Sequence, residues 1–246
     1  MRLFVGQILF ATAIIGIVIV VKHAGGYPEY VLPSGSTIAN YVRANWPDLL
    51  LLGGYTFLYS CVGLAIALVV ASMTAVATMR SRRLTDGALA FGIAWQSYPI
   101  VALAPLLFVM FGDGQITRII IIGSFAYFPA FLAFLAIGSR RVEALESFFE
   151  QVERWPRGGR FLVRLNHSGK TVESAVIGSA ALALVGAVVA EFLGANYGIG
   201  YLIRTGQYSH HTEVMIAAII TIGLFSAFYF AAIQAAVRAA LPGSTR

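Results

Sequence analysis

The 246-residue sequence predicts an all-α membrane protein of about six transmembrane helices. Three observations carry that class. Hydrophobic residues fill 59% of positions and charged residues 11%, whereas soluble domains carry about 25% charged residues. Mean hydropathy is +0.80. The apolar positions gather into six stretches that approach or exceed the roughly 20 residues a helix needs to cross the hydrocarbon, and basic residues gather in alternate connections.

The stretches are Leu3–Val21, Leu49–Thr78, Ala88–Phe111, Ile119–Ile137, Ala175–Phe192 and Val214–Val237. Ile, Val, Leu and Phe occupy every face, so no 3.6-residue period resolves. Helix follows instead from the demand that backbone groups in lipid bond within their own segment, and a barrel would show short alternating strands. The first stretch follows Met1 and Arg2 and has no small-residue cleavage pattern after Val21, so it is expected to stay as a helix rather than act as a signal peptide. These spans use most of the chain and leave one transmembrane domain over residues 1–246.

Orientation comes from Lys and Arg. With the N-terminus inside, Arg80, Arg82, Arg83, Arg140, Arg141, Arg154, Arg157, Arg160, Arg164 and Lys170 lie in two cytoplasmic loops, and Arg2, Arg238 and Arg246 join them. Only Lys22, Arg43, Arg118 and Arg204 fall outside, a split of thirteen against four that places both termini in the cytoplasm. The net charge of +6 therefore orients the chain against anionic lipid and gives no case for nucleic acid. The single cysteine, Cys61, lies in the second span and excludes an intrachain disulfide and a thiolate metal cage.

The third span is the most interrupted, with Trp95-Gln96-Ser97-Tyr98-Pro99 and then Pro105. Each proline removes a donor and frees a carbonyl one turn earlier. Gln96, Ser97 and Tyr98 are thus candidates to line a polar path, and helix-to-helix bonding is the plainer alternative. Tyr55 and Tyr59, one turn apart beside Gly53 and Gly54, are candidates for the same interior. Gly178, Ser179, Gly186 and Gly223 read as close helix packing. Glu191, near the outer end of the fifth span, is a pathway candidate because an ionisable group at membrane depth is a functional hypothesis by default. A helix-end carboxylate bonded to local amides is the competing reading.

The largest extramembrane piece is the cytoplasmic loop 138–173. Acidic residues at 143, 146, 150 and 153 surround Phe148, Phe149 and Val152 in the spacing of a short amphipathic helix, which Trp155-Pro156-Arg157 ends. Interfacial helices favour Lys and Arg on the polar face, so this acidic one suits docking to a soluble partner. Glu146, Phe148, Phe149, Glu150, Glu153, Trp155 and Arg157 are its candidate contacts.

Several motifs are discounted. Ser168-Gly169-Lys170-Thr171 lacks the first P-loop glycine, because position 164 is arginine. The glycines from Gly194 to Gly200 follow a membrane helix rather than a strand, so they read as a turn or re-entrant segment. His210-His211 with Glu213 lacks further ligands nearby and reads as an exposed helix end. No histidine falls within a span, which leaves a buried serine nucleophile without a base. The chain is expected to have no catalytic site, no metal and no cofactor of its own. The scarcity of membrane carboxylates argues that energy comes from another subunit, against an ion-coupled carrier or channel; a non-transporting scaffold is the third alternative.

The order of landmarks resembles the permeases of the nitrate, sulfonate and taurine class of ABC importers over nearly the whole chain. Leu32-Pro33-Ser34, Pro105-Leu106-Leu107 with Phe111-Gly112, and Ala190-Glu191-Phe192-Leu193-Gly194 followed by Gly198-Ile199-Gly200-Tyr201-Leu202-Ile203 carry the likeness. The family's E-A-A-x-x-x-G signature would fall on 147–153, where none of its defining positions agrees. The resemblance implies a type I importer permease of the bacterial inner membrane whose loop 138–173 is the coupling element. It implies as partners a cytoplasmic ABC ATPase dimer that binds ATP and Mg, a second permease subunit and an extracytoplasmic binding protein. The altered signature fits a changed ATPase groove or the divergent half of a heterodimeric permease, and the second is favoured. The solute implied is a small anion or a heterocyclic precursor.

Overall fold

The computed structural model describes residues 16, 17, 20–22, 24–26, 28, 29, 31–139 and 169–240. The predicted first span and the docking loop with Glu146, Phe148, Phe149, Glu150, Glu153, Trp155 and Arg157 fall largely or wholly outside these residues. The described elements are α1 (Gly35–Thr78), α2 (Arg82–Ser97), α3 (Ile100–Phe111), α4 (Gln115–Ser139), α5 (Gly169–Leu193), α6 (Ile199–Tyr208) and α7 (Thr212–Ala240). The fold is all-α. Helices α1, α4, α5 and α7 are each long and apolar enough to cross a membrane, and the pair α2 and α3 makes a fifth crossing if taken together.

Helix α1 starts where Ser34 accepts a bond from the Thr37 amide at 3.3 Å, and Glu29 holds the Ser34 amide at 2.7 Å and Lys22 at 2.6 Å. It bends at Asn45, whose φ and ψ are −120° and 18°. Pro47 causes the bend, since its ring lacks an N–H and crowds the carbonyl one turn earlier. The side-chain amide of Asn45 then donates from Nδ2 to the Tyr41 carbonyl at 2.9 Å. Beyond the bend, the remainder of α1 coincides with the predicted span Leu49–Thr78.

The predicted third span is not one rod. Helices α2 and α3 meet at 88°, with Tyr98 and Pro99 at the corner in extended conformations. Pro99 has no amide to continue the helix and pushes the residue before it out of the α region. Pro105 and Pro129 stay inside α3 and α4 without ending them.

Alanine and glycine bring the central helices together. A core cluster joins Tyr59, Leu64 and Ala67 of α1 to Ile122 and Ala126 of α4, and to Ala180, Ala183, Leu184 and Ala187 of α5. At Gly186 a Cβ would lie 3.1 Å from the Ile122 Cα, so α4 and α5 touch nearly backbone to backbone. Such approach is how membrane helices gain dispersion energy where lipid already solvates their apolar side chains. Gly178 and Gly223 have open space around them, so only Gly186 of the three glycines read as packing sites is one. Outward-facing Leu51, Leu58, Val62, Ile66, Val69 and Met73 on α1 are all exposed, the apolar face a bilayer or a neighbouring subunit covers.

Candidate functional site

Among the described residues, two polar clusters tie the bundle, one at each end. At the end where α5 begins and α7 stops, the Glu173 carboxylate accepts from Gln234 at 3.2 Å and from the Arg238 Nε at 3.1 Å. The other end, where α5 passes into α6, holds the larger cluster and is the candidate site.

Its centre is Glu191, the last acidic residue of α5, with 1% of its surface exposed. One carboxylate oxygen, Oε2, accepts from the Thr56 hydroxyl at 2.8 Å and from the Gly200 amide at 3.0 Å. Thr56 in turn accepts from the Ile199 amide at 3.0 Å. These amides belong to the first turn of α6, whose N–H groups have no partner inside the helix, and the positive end of the helix dipole faces the carboxylate. Because Thr56 accepts from Ile199, its one proton is directed at the carboxylate or shared with the Leu52 carbonyl at 3.1 Å.

Glycine makes this geometry possible. Gly198, with φ 107° and ψ 171°, caps α6 in a conformation close to glycine's own, and a Cβ there would run into the carboxylate. At Gly200 a Cβ would strike the Val188 carbonyl. Arg204, one turn into α6, reaches back to the carbonyls of Ala195 at 2.6 Å and Phe192 at 3.4 Å. The glycine-rich stretch is thus a tight turn that folds α6 against the end of α5.

The second half of the cluster surrounds Arg118 in the first turn of α4, also 1% exposed. Its guanidinium stacks 3.6 Å over the Tyr197 ring and lies 5.4 Å from the Tyr59 centroid. Nη2 reaches Asp113 at 3.4 Å, and Asp113 accepts a bond from Asn196 in the α5–α6 turn. Tyr59 and Tyr197 share a hydroxyl contact of 3.4 Å, and the Tyr55 ring centroid lies 5.4 Å from that of Tyr197. Aromatic faces and a carboxylate together make burial of a guanidinium tolerable.

Of the predicted pathway residues, Glu191, Tyr55 and Tyr59 meet at this end. Tyr55 is 39% exposed and Tyr59 is 9% exposed, so only the first presents much surface. Gln96, Ser97 and Tyr98 stand exposed at the α2–α3 corner, where Ser97 donates to its own helix at the Ile93 carbonyl, 2.8 Å away. Above the cluster, a cavity of about 220 Å³ opens between the bend of α1 and Leu202 of α6, with Tyr41, Asn45 and Asp48 as its polar lining. His210 and His211 occupy the turn before α7, where His211 bonds to Glu213 at 2.9 Å.

Sequence reasoning missed Arg118, Asp113, Thr56, Asn196 and Tyr197. Loop charge places Arg118 among the outer basic residues, whereas the structure buries it. Its signal was present: an arginine embedded between Ile116 and Ile119 is drawn into the apolar run, and Asp113 five residues earlier offers it a partner.

Residues 63–241 match the family of binding-protein-dependent transport system inner membrane components. The chain is 26% identical to a probable ABC transporter permease protein of Haemophilus influenzae, over 84% of each chain. It is 27% identical to the formylaminopyrimidine transport permease protein ThiX of Halalkalibacterium halodurans, over 74% of this chain and 72% of that one. It is 28% identical to the riboflavin transport system permease protein RibX of Chloroflexus aurantiacus, over 54% and 50% of the two chains.

Proposed function

The chain belongs to the binding-protein-dependent transport system inner membrane components and is an ABC transporter permease; from that premise we propose that it forms half of the solute pathway of an importer. Loop 138–173 receives the stroke of a cytoplasmic ATPase dimer, which binds ATP and Mg. Both termini lie in the cytoplasm. An extracytoplasmic binding protein delivers solute to the α5–α6 end, and a second permease subunit, non-identical because this chain has lost the E-A-A pattern, completes the pathway. The relatives that carry formylaminopyrimidine and riboflavin in their names favour a planar nitrogen heterocycle as solute over a simple anion.

The observation that carries this reading is the position of Glu191. Among the described membrane carboxylates it is the one buried to 1% exposure, and its Oε2 is committed to Thr56 and Gly200. A group engaged in holding α6 is poorly placed to bind and release a coupling ion, which favours an external source of energy. The experiment is transport and ATP hydrolysis in proteoliposomes carrying the whole assembly, with Phe148 and Phe149 both replaced by Asp. Loss of solute-stimulated hydrolysis and of ATPase co-purification, with the membrane part still folded, is expected. Unchanged transport would overturn the coupling role of the loop.

A further inference from the structure

The bend that Pro47 puts into α1 opens a cavity of about 220 Å³ against α6. Tyr41, Asn45 and Asp48 follow one another at spacings of four and three residues, which sets them on one side of α1, and all three line the cavity. Leu49, Leu52 and Leu202 supply its apolar wall. Leu49 is buried to 3% exposure and lies at the floor, whereas Asp48 is exposed, so the cavity opens on the Asp48 side. Asn45 gives one N–H to the Tyr41 carbonyl and keeps a second N–H and its carbonyl oxygen. Among the described residues Asp48 has neither a hydrogen bond nor an ion pair, and no lysine or arginine lines the cavity.

We propose that this cavity is an entry subsite for the solute and takes a single-ring nitrogen heterocycle bearing an amino group. The inference rests on the importer reading above and narrows its solute. Size is the first constraint. A cavity of about 150 Å³ holds one benzene ring and drug-sized ligands occupy about 300–1,000 Å³, so 220 Å³ suits one substituted ring and excludes a large fused system.

Charge is the second constraint. A simple anion would face the Asp48 carboxylate with no cation in the lining to offset it, and like charges at close range repel. The third is the pattern of donors and acceptors. An asparagine amide pairs side by side with an amino group and the ring nitrogen next to it, as it does with adenine. Asn45 retains the N–H and the carbonyl which that pairing uses, and Asp48 accepts the second amino hydrogen. The Tyr41 ring and the leucines cover the faces of the heterocycle. An alkylammonium would satisfy Asp48 but leave the paired edge of Asn45 unused.

The test is saturation-transfer NMR on the whole assembly in lipid nanodiscs without ATP, with 4-aminopyrimidine as the probe and empty nanodiscs as the blank. Wild type is expected to bind the probe about tenfold or more tighter than pyrimidine, which lacks the amino group, the weight of one charge-assisted hydrogen bond. Asp48→Asn, close to isosteric, is expected to lose that preference. Leu202→Trp, which fills the cavity and leaves Asp48 in place, is expected to abolish saturable binding, with melting temperature as the check on folding. No saturable binding to wild type, equal binding of pyrimidine, or undiminished binding by Asp48→Asn overturns the proposal. So does equally tight binding of ethylammonium, which marks a general cation site for a lipid amine or a lysine of the binding protein. Since binding is read without ATP, it fails separately from coupling. Absent binding alongside transport that needs Phe148 and Phe149 overturns the subsite alone, whereas selective binding alongside transport indifferent to those residues supports the subsite and counts against the coupling.

Discussion

Gly198→Ala is the perturbation that bears most directly on how α6 is held. The added Cβ would occupy the space of the Glu191 carboxylate, and φ 107° with ψ 171° lies where side chains other than hydrogen are strained. That strain alone is of order 1–3 kcal/mol. Moving the carboxylate aside loosens its bonds from Thr56 and Gly200, and hydrogen bonds to charged groups contribute about 1.5–3 kcal/mol each. The losses overlap, since a displaced carboxylate keeps some partner, so about 3–5 kcal/mol is expected in all, or two to nearly four decades in the folding equilibrium. Gly178→Ala is the matched control: it lies within α5 with nothing within 4 Å of its Cβ, and alanine there should be neutral or stabilising by up to about 1 kcal/mol. Equilibrium unfolding in mixed micelles, followed by tryptophan fluorescence and extrapolated to zero denaturing detergent, measures both. A Gly198→Ala protein no less stable than Gly178→Ala would refute the claim that this turn is built around the carboxylate.

The clusters at the two ends give two further expected outcomes. Glu191→Gln keeps an oxygen that can accept from Thr56 and the α6 amides, so the protein should fold with a modest loss of stability, and transport should keep the pH and ion dependence of wild type; loss of that dependence would point to an ion-coupled carrier. Glu173→Ala removes the acceptor shared by Gln234 and Arg238. Arg238 is half exposed, so stability should fall by about 1 kcal/mol or less, whereas hydrolysis in the assembly should become less dependent on solute if α5 and α7 respond to the loop as a unit.

How much the sequence disclosed depended on the kind of physics involved. Hydropathy is summed over about twenty residues, so the spans of α1, α4, α5 and α7 could be found without knowing a single contact. The corner at Tyr98–Pro99 was signalled by a proline, but its angle was not: whether a freed carbonyl yields a slight kink or an 88° bend depends on what packs around it. Glu191 stood out because carboxylates are rare in lipid. Arg118 did not, because loop charge is read by counting, and counting cannot distinguish an arginine in water from one folded back under Tyr197. Thr56 was invisible among many threonines, since its role arises from a partner 135 residues away. Gly198 and Gly200 were legible as a turn but not as a cradle, because the group they make room for comes from the preceding helix.

The two polar clusters also divide the work within the subunit. In the α5–α6 cluster, carboxylate, hydroxyl and backbone amides are buried together, and the low dielectric strengthens each bond while making any loss costly. Separating these elements would break several buried bonds at once. At the opposite end, Glu173 joins α5 to α7 through a partly buried Gln234 and a half-exposed Arg238, the second of which water can replace at little cost. Loop 138–173 enters α5 beside this weaker joint. Under the proposed coupling, a force delivered there by the ATPase would meet less polar resistance at the α5–α7 contact than at the buried end, so the helices would tilt about the buried cluster instead of shearing through it. If the loop receives force as proposed above, Glu191 and Arg118 would be the fulcrum, and the solute path would be opened by what rotates around them.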